Sequence, residues 1–300
     1  MTALAAQLAR SPRPLRRPAF ARLLAGYTLA GLGHQFTMIA LLWFVLALTD
    51  SGSALGLVVI CMQLPGVISS PAFGRLLDRV QPRTILVIDN LLRALLVAMM
   101  PVLYWMGHLT MPAILVLSVL AGLLAPATVI GIQVLLPDLV PDEELDSANA
   151  LISFALNFPF FIGPAIAGLL ITIWSGPVVM LIDAAAFLLM AAVCRALPDI
   201  TRVREVPAAS QKGPRSPWWT FGFGTLLQFP SVLMITLLSF VFYFSYGPLE
   251  PALPIYARDV LHTGSAGYGL LWSGMGAGII LGLATIPFAA RVRSQGMVFA

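Results

Sequence analysis

Asp89 and Arg93 stand four residues apart inside an otherwise apolar run. An ionised side chain at a bilayer centre costs about 2.5–3.5 kcal/mol on insertion scales, so such groups face a protein interior and take a partner. Four-residue spacing puts both on one helix face, where they can pair. The pair either satisfies itself and stiffens its surroundings, or it contacts a substrate. Asp183 is a third ionisable group within an apolar run, about six residues from the far end and so within reach of interfacial water. His34 and Gln35 fall near the middle of another run. Imidazole, with an unperturbed pKa near 6.5, can exchange protons at neutral pH. It can equally sit neutral, bonded to a neighbouring helix, and both readings stand. The chain has no G-x-x-x-x-G-K-[ST] phosphate loop and no H-E-x-x-H or G-x-S-x-G element. An enzyme, a cofactor and a metal site are therefore not expected. Cys61 and Cys194 lie within apolar runs and read as small buried hydrophobes.

These side chains need elements that can hold charge inside apolar surroundings. Of the 300 residues, 59% are hydrophobic and only 10% charged, against roughly 25% charged in an ordinary globular domain. So few charges cannot cover a water-exposed surface of this size. A spanning helix needs about 20 mostly apolar residues. Eight such stretches occur, at roughly 20–48, 54–74, 84–106, 111–136, 146–173, 177–197, 224–248 and 266–290. None alternates every second residue, so helices rather than strands are predicted. The chain reads as an all-α, polytopic membrane protein. Span 8 carries Gly274, Gly278 and Gly282 at four-residue spacing, which predicts a smooth stripe for close helix contact.

Basic residues set the orientation. Arg10, Arg13, Arg16, Arg17 and Arg22 precede or open span 1, and Arg75, Arg79 and Arg83 lie between spans 2 and 3. Arg195, Arg202, Arg204, Lys212 and Arg215 follow span 6, and Arg291 and Arg293 follow span 8. If the spans alternate, all of these share one side. Only Arg258 falls on the other, while Arg93 is within span 3. The excess predicts a multi-pass protein of the cell membrane with both termini cytoplasmic. Bases confined to short inter-span segments also argue against a nucleic-acid partner. The acidic 4–5 segment, Asp138 to Asp146, has no base, and Pro141-Asp142-Glu143-Glu144 is predicted to be the first turn of helix 5, where acids suit the helix dipole. The expected plan is a tail at 1–19, a six-helix bundle at 20–197, a Pro-containing polar linker at 198–223 and a partial second bundle at 224–300. Gly296 to Ala300 reads as the opening of a ninth span.

The segment Gly74-Arg75-Leu76-Leu77-Asp78-Arg79-Val80-Gln81-Pro82-Arg83 resembles the G-x-L-x-D-R-x-G-R-[RK] loop of the major facilitator superfamily. Gly74, Leu76, Asp78, Arg79 and Arg83 match, while Gln81 and Pro82 depart from it. Gly163-Pro164-Ala165-Ile166-Ala167-Gly168 in span 5 resembles the G-P-x-x-G-G element of that family's exporters. Ala40-Leu41-Leu42-Trp43, Leu136-Pro137-Asp138-Leu139-Val140-Pro141 and Asp183-Ala184-Ala185-Ala186-Phe187-Leu188 resemble its macrolide- and siderophore-exporter-like branch. Many members carry an acid in span 1 where this chain has Gly33-His34-Gln35.

The resemblance implies a helical bundle whose first six-helix half is complete and whose second half is partial, since the family fold needs twelve spans. It implies that spans 1, 4 and 7 line a cavity and that spans 3 and 6 support the bundle from outside. Thr128 and Gln133 in span 4, and Gln228 and Tyr243 in span 7, then join His34 and Gln35 as candidates for a substrate or proton path. Gly74, Asp78, Arg79 and Arg83 would form a conformational gate, and Gly163, Pro164 and Gly168 an exporter-like packing element. The implied function is export of a small amphipathic compound by alternating access, with protons the expected coupling ion. The alternatives are a truncated, non-transporting membrane protein and an uptake carrier of the same fold. Partners would be a small-molecule substrate and the lipid bilayer.

Overall fold

A computed structural model describes residues 13–198 and 229–289, with the side chains of the last helix described as far as residue 278. The helices are α1 (Pro18–Thr49), α2 (Gly52–Leu77), α3 (Pro82–Trp105), α4 (Met111–Leu139), α5 (Leu145–Trp174), α6 (Gly176–Arg195), α7 (Pro230–Tyr246), α8 (Leu249–Ile255) and α9 (Gly264–Ala289). No strand occurs among the described residues. Seven helical segments there are long and apolar enough to cross a membrane. The 26 residues of α9 add an eighth segment of about 39 Å at 1.5 Å per residue.

Proline placement explains many of the boundaries. The first turns of α1, α3, α4, α6 and α7 each contain one, where no intrahelical N–H is lost. At α2 the Ser51 hydroxyl accepts from the Ala54 N–H instead, filling an otherwise orphaned donor position. Interior prolines, among them Pro65, Pro126, Pro159 and Pro164, are tolerable in packed membrane helices because neighbours satisfy the freed groups.

The first six helices pack side by side in the order α5, α1, α6, α3, α4, α2, and α8 and α9 close the ring between α2 and α5. Small residues set the close approaches. A Cβ on Gly122 of α4 would fall 2.5 Å from the Met62 carbonyl oxygen of α2, and one on Gly33 of α1 would fall 2.6 Å from Asp183 of α6. The second half joins through α9, which packs along α5. A Cβ on Gly269 would meet the Pro164 carbonyl oxygen at 2.2 Å, one on Gly276 would meet the Phe161 Cα at 2.6 Å, and one on Gly168 would meet the Ser265 carbonyl oxygen at 2.4 Å. Ser265 donates to the Gly168 carbonyl, and Ser273 accepts from the Ala165 N–H.

That interface corrects the expected glycine stripe. Gly274 and Gly278 face open space, and the surroundings of Gly282 lie outside the described residues. The contact runs instead through Ser265, Gly269, Ser273 and Gly276. Those four positions follow a helix face at successive four-, four- and three-residue steps, so residue spacing in the sequence singled out the wrong set of glycines.

Two other expectations need revision. The predicted end of span 7 near residue 248 is only a bend. The chain continues through α8 into a π-helical turn at Tyr256–Val260. Pro248 sits at the N-cap of α8 and Pro251 in its first turn, where a missing N–H does not break a helix. Residues 142–144 form a separate 3₁₀ turn, and helix 5 begins after it at Leu145. Glu144 there accepts from Arg17 Nε at 3.0 Å, so the acidic segment is balanced by the basic N-terminal one.

Candidate functional site

A cavity of about 160 Å³ opens inside the ring. Its polar lining comes from several helices: His34 and Gln35 of α1, Gln63 of α2, Arg93 of α3, Ser118 of α4 and Glu250 of α8. Met38, Met62, Met100, Phe160, Phe187 and Trp272 supply apolar surface. His34 is exposed within the described structure and lines this space. Gln35 is buried and packs against Gly163, where a Cβ would come within 2.8 Å of its own Cβ. The span 5 element thus does two jobs. Gly163 seats the α1 residue at the cavity wall, while Pro164 and Gly168 seat α9.

Asp89 and Arg93 do pair, with Arg93 Nε 3.1 Å from Asp89 Oδ1. Thr128 donates to the other carboxylate oxygen at 2.6 Å. The Arg93 guanidinium lies over the Phe187 ring, 5.6 Å from its centroid, a cation–π arrangement. Asp89 is only 2% exposed and both of its carboxylate oxygens are bonded, whereas one terminal nitrogen of the Arg93 guanidinium is buried without a hydrogen-bond partner. Arg93 nevertheless lines the cavity, although its helix was expected to support the bundle from outside. A long side chain on α3 reaches inward beside Phe187 of α6.

Other expected cavity residues are elsewhere. Thr128 is turned toward α3 and is absorbed by Asp89. The cavity face of α4 is carried by Ser118, Ala121, Gly122 and Ala125; Thr128 follows Ala121 and Ala125 down the same side of the helix but is held by Asp89 of α3. Gln133 is exposed outside the lining, eight residues or about 12 Å beyond Ala125. Tyr243 is 66% exposed because α7 buries no residue against the rest. Gln228 lies outside the described residues. Asp183 does not reach an interface, being fully buried against Gly33 and facing Thr37. Both of its carboxylate oxygens lack a partner at hydrogen-bond geometry. In the 2–3 loop, Asp78 caps α2 through its N–H, and its side chain and that of Arg79 are exposed. Nothing crowds Gly74. Arg83 reaches across to donate to the Arg195 carbonyl at the end of α6.

Glu250, Gln63 and Trp272 were not among the sequence-derived candidates. Gln63 and Glu250 face the same cavity. Glu250 stands between Pro248 and Pro251, in a segment that reads as loop unless those prolines are recognised as a helix start. An acid next to one proline and two residues after another, at the edge of an apolar run, was the available signal.

The end of the bundle opposite the basic clusters is clasped by charge. Arg258 of the π turn contacts Asp50, between α1 and α2, at 2.6 Å, and forks onto Asp259 at 2.6 and 3.1 Å. Ile255 also abuts Gly52. Asp50 is 79% exposed at its side chain, so water and salt screen the clasp and it restrains this end only weakly. Arg258→Gln is therefore expected to raise, modestly, thiol labelling of a Gln63→Cys reporter from that end, measured against the Gln63→Cys chain with Arg258 intact. An unchanged rate would show that the clasp does not restrain this mouth.

The helix order, the centrally placed cavity and the α5–α9 seam can be compared with known proteins. The model of the Major Facilitator Superfamily matches residues 23–296. The chain belongs to the major facilitator superfamily. Among relatives of this member, an MFS-type transporter, y4rN, of Sinorhizobium fredii is 29% identical over 93% of the chain and 70% of its own length. The multidrug efflux pump Tap of Mycolicibacterium fortuitum is 30% identical over 93% and 69%. The staphyloferrin A transporter of Staphylococcus aureus is 27% identical over 85% and 64%. The chain thus spans about two thirds of the length of these relatives. The fold also matches the nucleoside transporter NupG, with a TM-score of 0.64 at 14% identity over 90% of this chain and 67% of that one. This superfamily member is a multi-pass α-helical membrane protein.

Proposed function

We propose that the chain forms the substrate-binding part of a secondary transporter that exports a small amphipathic compound by alternating access, driven by protons. The observation that carries this reading is a cavity to which both halves contribute: His34 and Gln35 from α1, Glu250 and Trp272 from α8 and α9. A site shared by two bundles changes its exposure when the bundles rock. His34 and Glu250 are groups that can take and release a proton, and the Met and aromatic walls suit an apolar ligand of varied shape. The efflux-pump and siderophore-transporter relatives are consistent with an amphipathic cargo. The end bearing Arg75, Arg79 and Arg83 faces the cytoplasm in this reading, following the basic asymmetry.

The test is transport by the purified chain in liposomes with an imposed pH gradient, using a fluorescent lipophilic dye as cargo. Gradient-dependent dye movement is expected. His34→Ala is expected to shift its pH dependence, with reconstitution unchanged. No dye movement above that of empty vesicles would overturn the proposal for this chain, and an unaltered pH profile would remove His34 from the proton path.

A further inference from the structure

We infer that the groove between the start of α3 and the end of α6 is a binding site for the headgroup of an anionic phospholipid. The groove has a volume of about 420 Å³ and is lined by Gln81, Arg83, Thr84, Val87, Ile88 and Arg195. It contains two guanidinium groups, an amide and a hydroxyl, and no acid lines it. The two arginines come from different helices, and the Arg83 side chain is oriented by its bond to the Arg195 carbonyl, so one of the two is pre-set before a ligand arrives. The first turn of α3 adds the positive end of a helix dipole. Guanidinium groups match phosphate oxygens in geometry as well as charge.

The apolar part of the groove selects the source of that phosphate. Val87 and Ile88 lie one turn below the arginines, and Ile88 is 52% exposed. Leu91, Leu92 and Leu95 continue down α3 with 46%, 42% and 58% exposure, and Leu188 on α6 has 52%. Charge at the helix ends above a strip of exposed leucine and isoleucine fits a molecule with a phosphate head and an acyl tail. A soluble phosphate would use the arginines and leave the strip unused. The groove is on the outer side of the α3–α6 contact, separate from the central cavity, so it binds a resident of the bilayer rather than the transported compound.

The experiment is native mass spectrometry of the full 300-residue chain in detergent, titrated with phosphatidylglycerol, with phosphatidylcholine of the same chains, and with inorganic phosphate as competitor. Phosphatidylglycerol is expected to be retained over phosphatidylcholine. The preference should fall about fivefold on Arg195→Gln, which leaves the backbone carbonyl and its bond to Arg83 in place, and further on adding Arg83→Gln. Arg75→Gln, outside the groove, should keep it. Equal retention of the two lipids overturns the inference, as does a preference that survives the double substitution in a chain of unchanged melting temperature. Displacement of the lipid by millimolar phosphate would assign the arginines to a soluble anion and overturn it as well.

Discussion

Gly269→Ala is expected to loosen α9 from α5 and destabilise the protein by about 1–3 kcal/mol, the range for forcing extra volume into a packed contact. The new methyl would overlap the Pro164 carbonyl oxygen, 2.2 Å from the Cβ position, with the Gly168 Cα at 3.2 Å. Both are backbone atoms, so no side chain can swing aside, and the helices must separate. Separation also stretches the Ser265–Gly168 and Ala165–Ser273 hydrogen bonds. Gly274→Ala is the matched control. It meets nothing within 4 Å, so it should be neutral or gain up to about 1 kcal/mol from helix propensity. Thermal unfolding in one detergent distinguishes the two. Equal melting temperatures would mean that the α5–α9 contact is not close-packed in the protein.

Glu250→Gln is expected to bring proton-driven dye movement down to the level of empty vesicles, the largest functional effect of any single change considered. The amide keeps the shape of the side chain but cannot exchange a proton. A Glu250→Asp chain, which keeps the carboxylate, should recover part of the activity. Exchange of dye across the membrane without a gradient should persist in the amide variant, because the cavity remains. If Glu250→Gln sustains the gradient-driven rate, the proton is carried elsewhere, and His34 would be the next residue to test.

Much of the fold was legible because membrane burial leaves a coarse, strong signal. Apolar runs of about 20 residues located seven helices to within a few residues, and the four-residue step from Asp89 to Arg93 anticipated their 3.1 Å pairing. The cavity was less legible because a lining residue is defined by its depth along the helix and by what its neighbours take up, which polarity alone does not report. Thr128 and Gln133 are as polar as Ser118, yet only Ser118 lines the cavity: Thr128 is taken up by Asp89, and Gln133 lies about 12 Å beyond Ala125. Glu250 was missed because its neighbouring prolines read as a loop. Gly274 and Gly278 were preferred to Gly269 and Gly276 because a regular glycine spacing is visible, whereas a seam shared with serines is not. His34 was found from its depth along span 1, and it does line the central space.

The link between α5 and α6 is one residue long. Ser175, at φ 74°, gives its N–H to the Ile171 carbonyl to finish α5 and lends its own carbonyl to the Val179 N–H to begin α6. A joint that closes one helix and opens the next through the two peptide units flanking a single residue leaves little slack. Together α5 and α6 act as a bent lever: one arm lies on α9 of the second half, and the other on α1 and α3. A tilt imposed along the α9 seam is therefore delivered to Phe187, and so to the guanidinium above it, without being absorbed in a loop. Under the proposed alternating access, motion between the halves and the position of a charge at the cavity wall would be two readings of one mechanical coordinate.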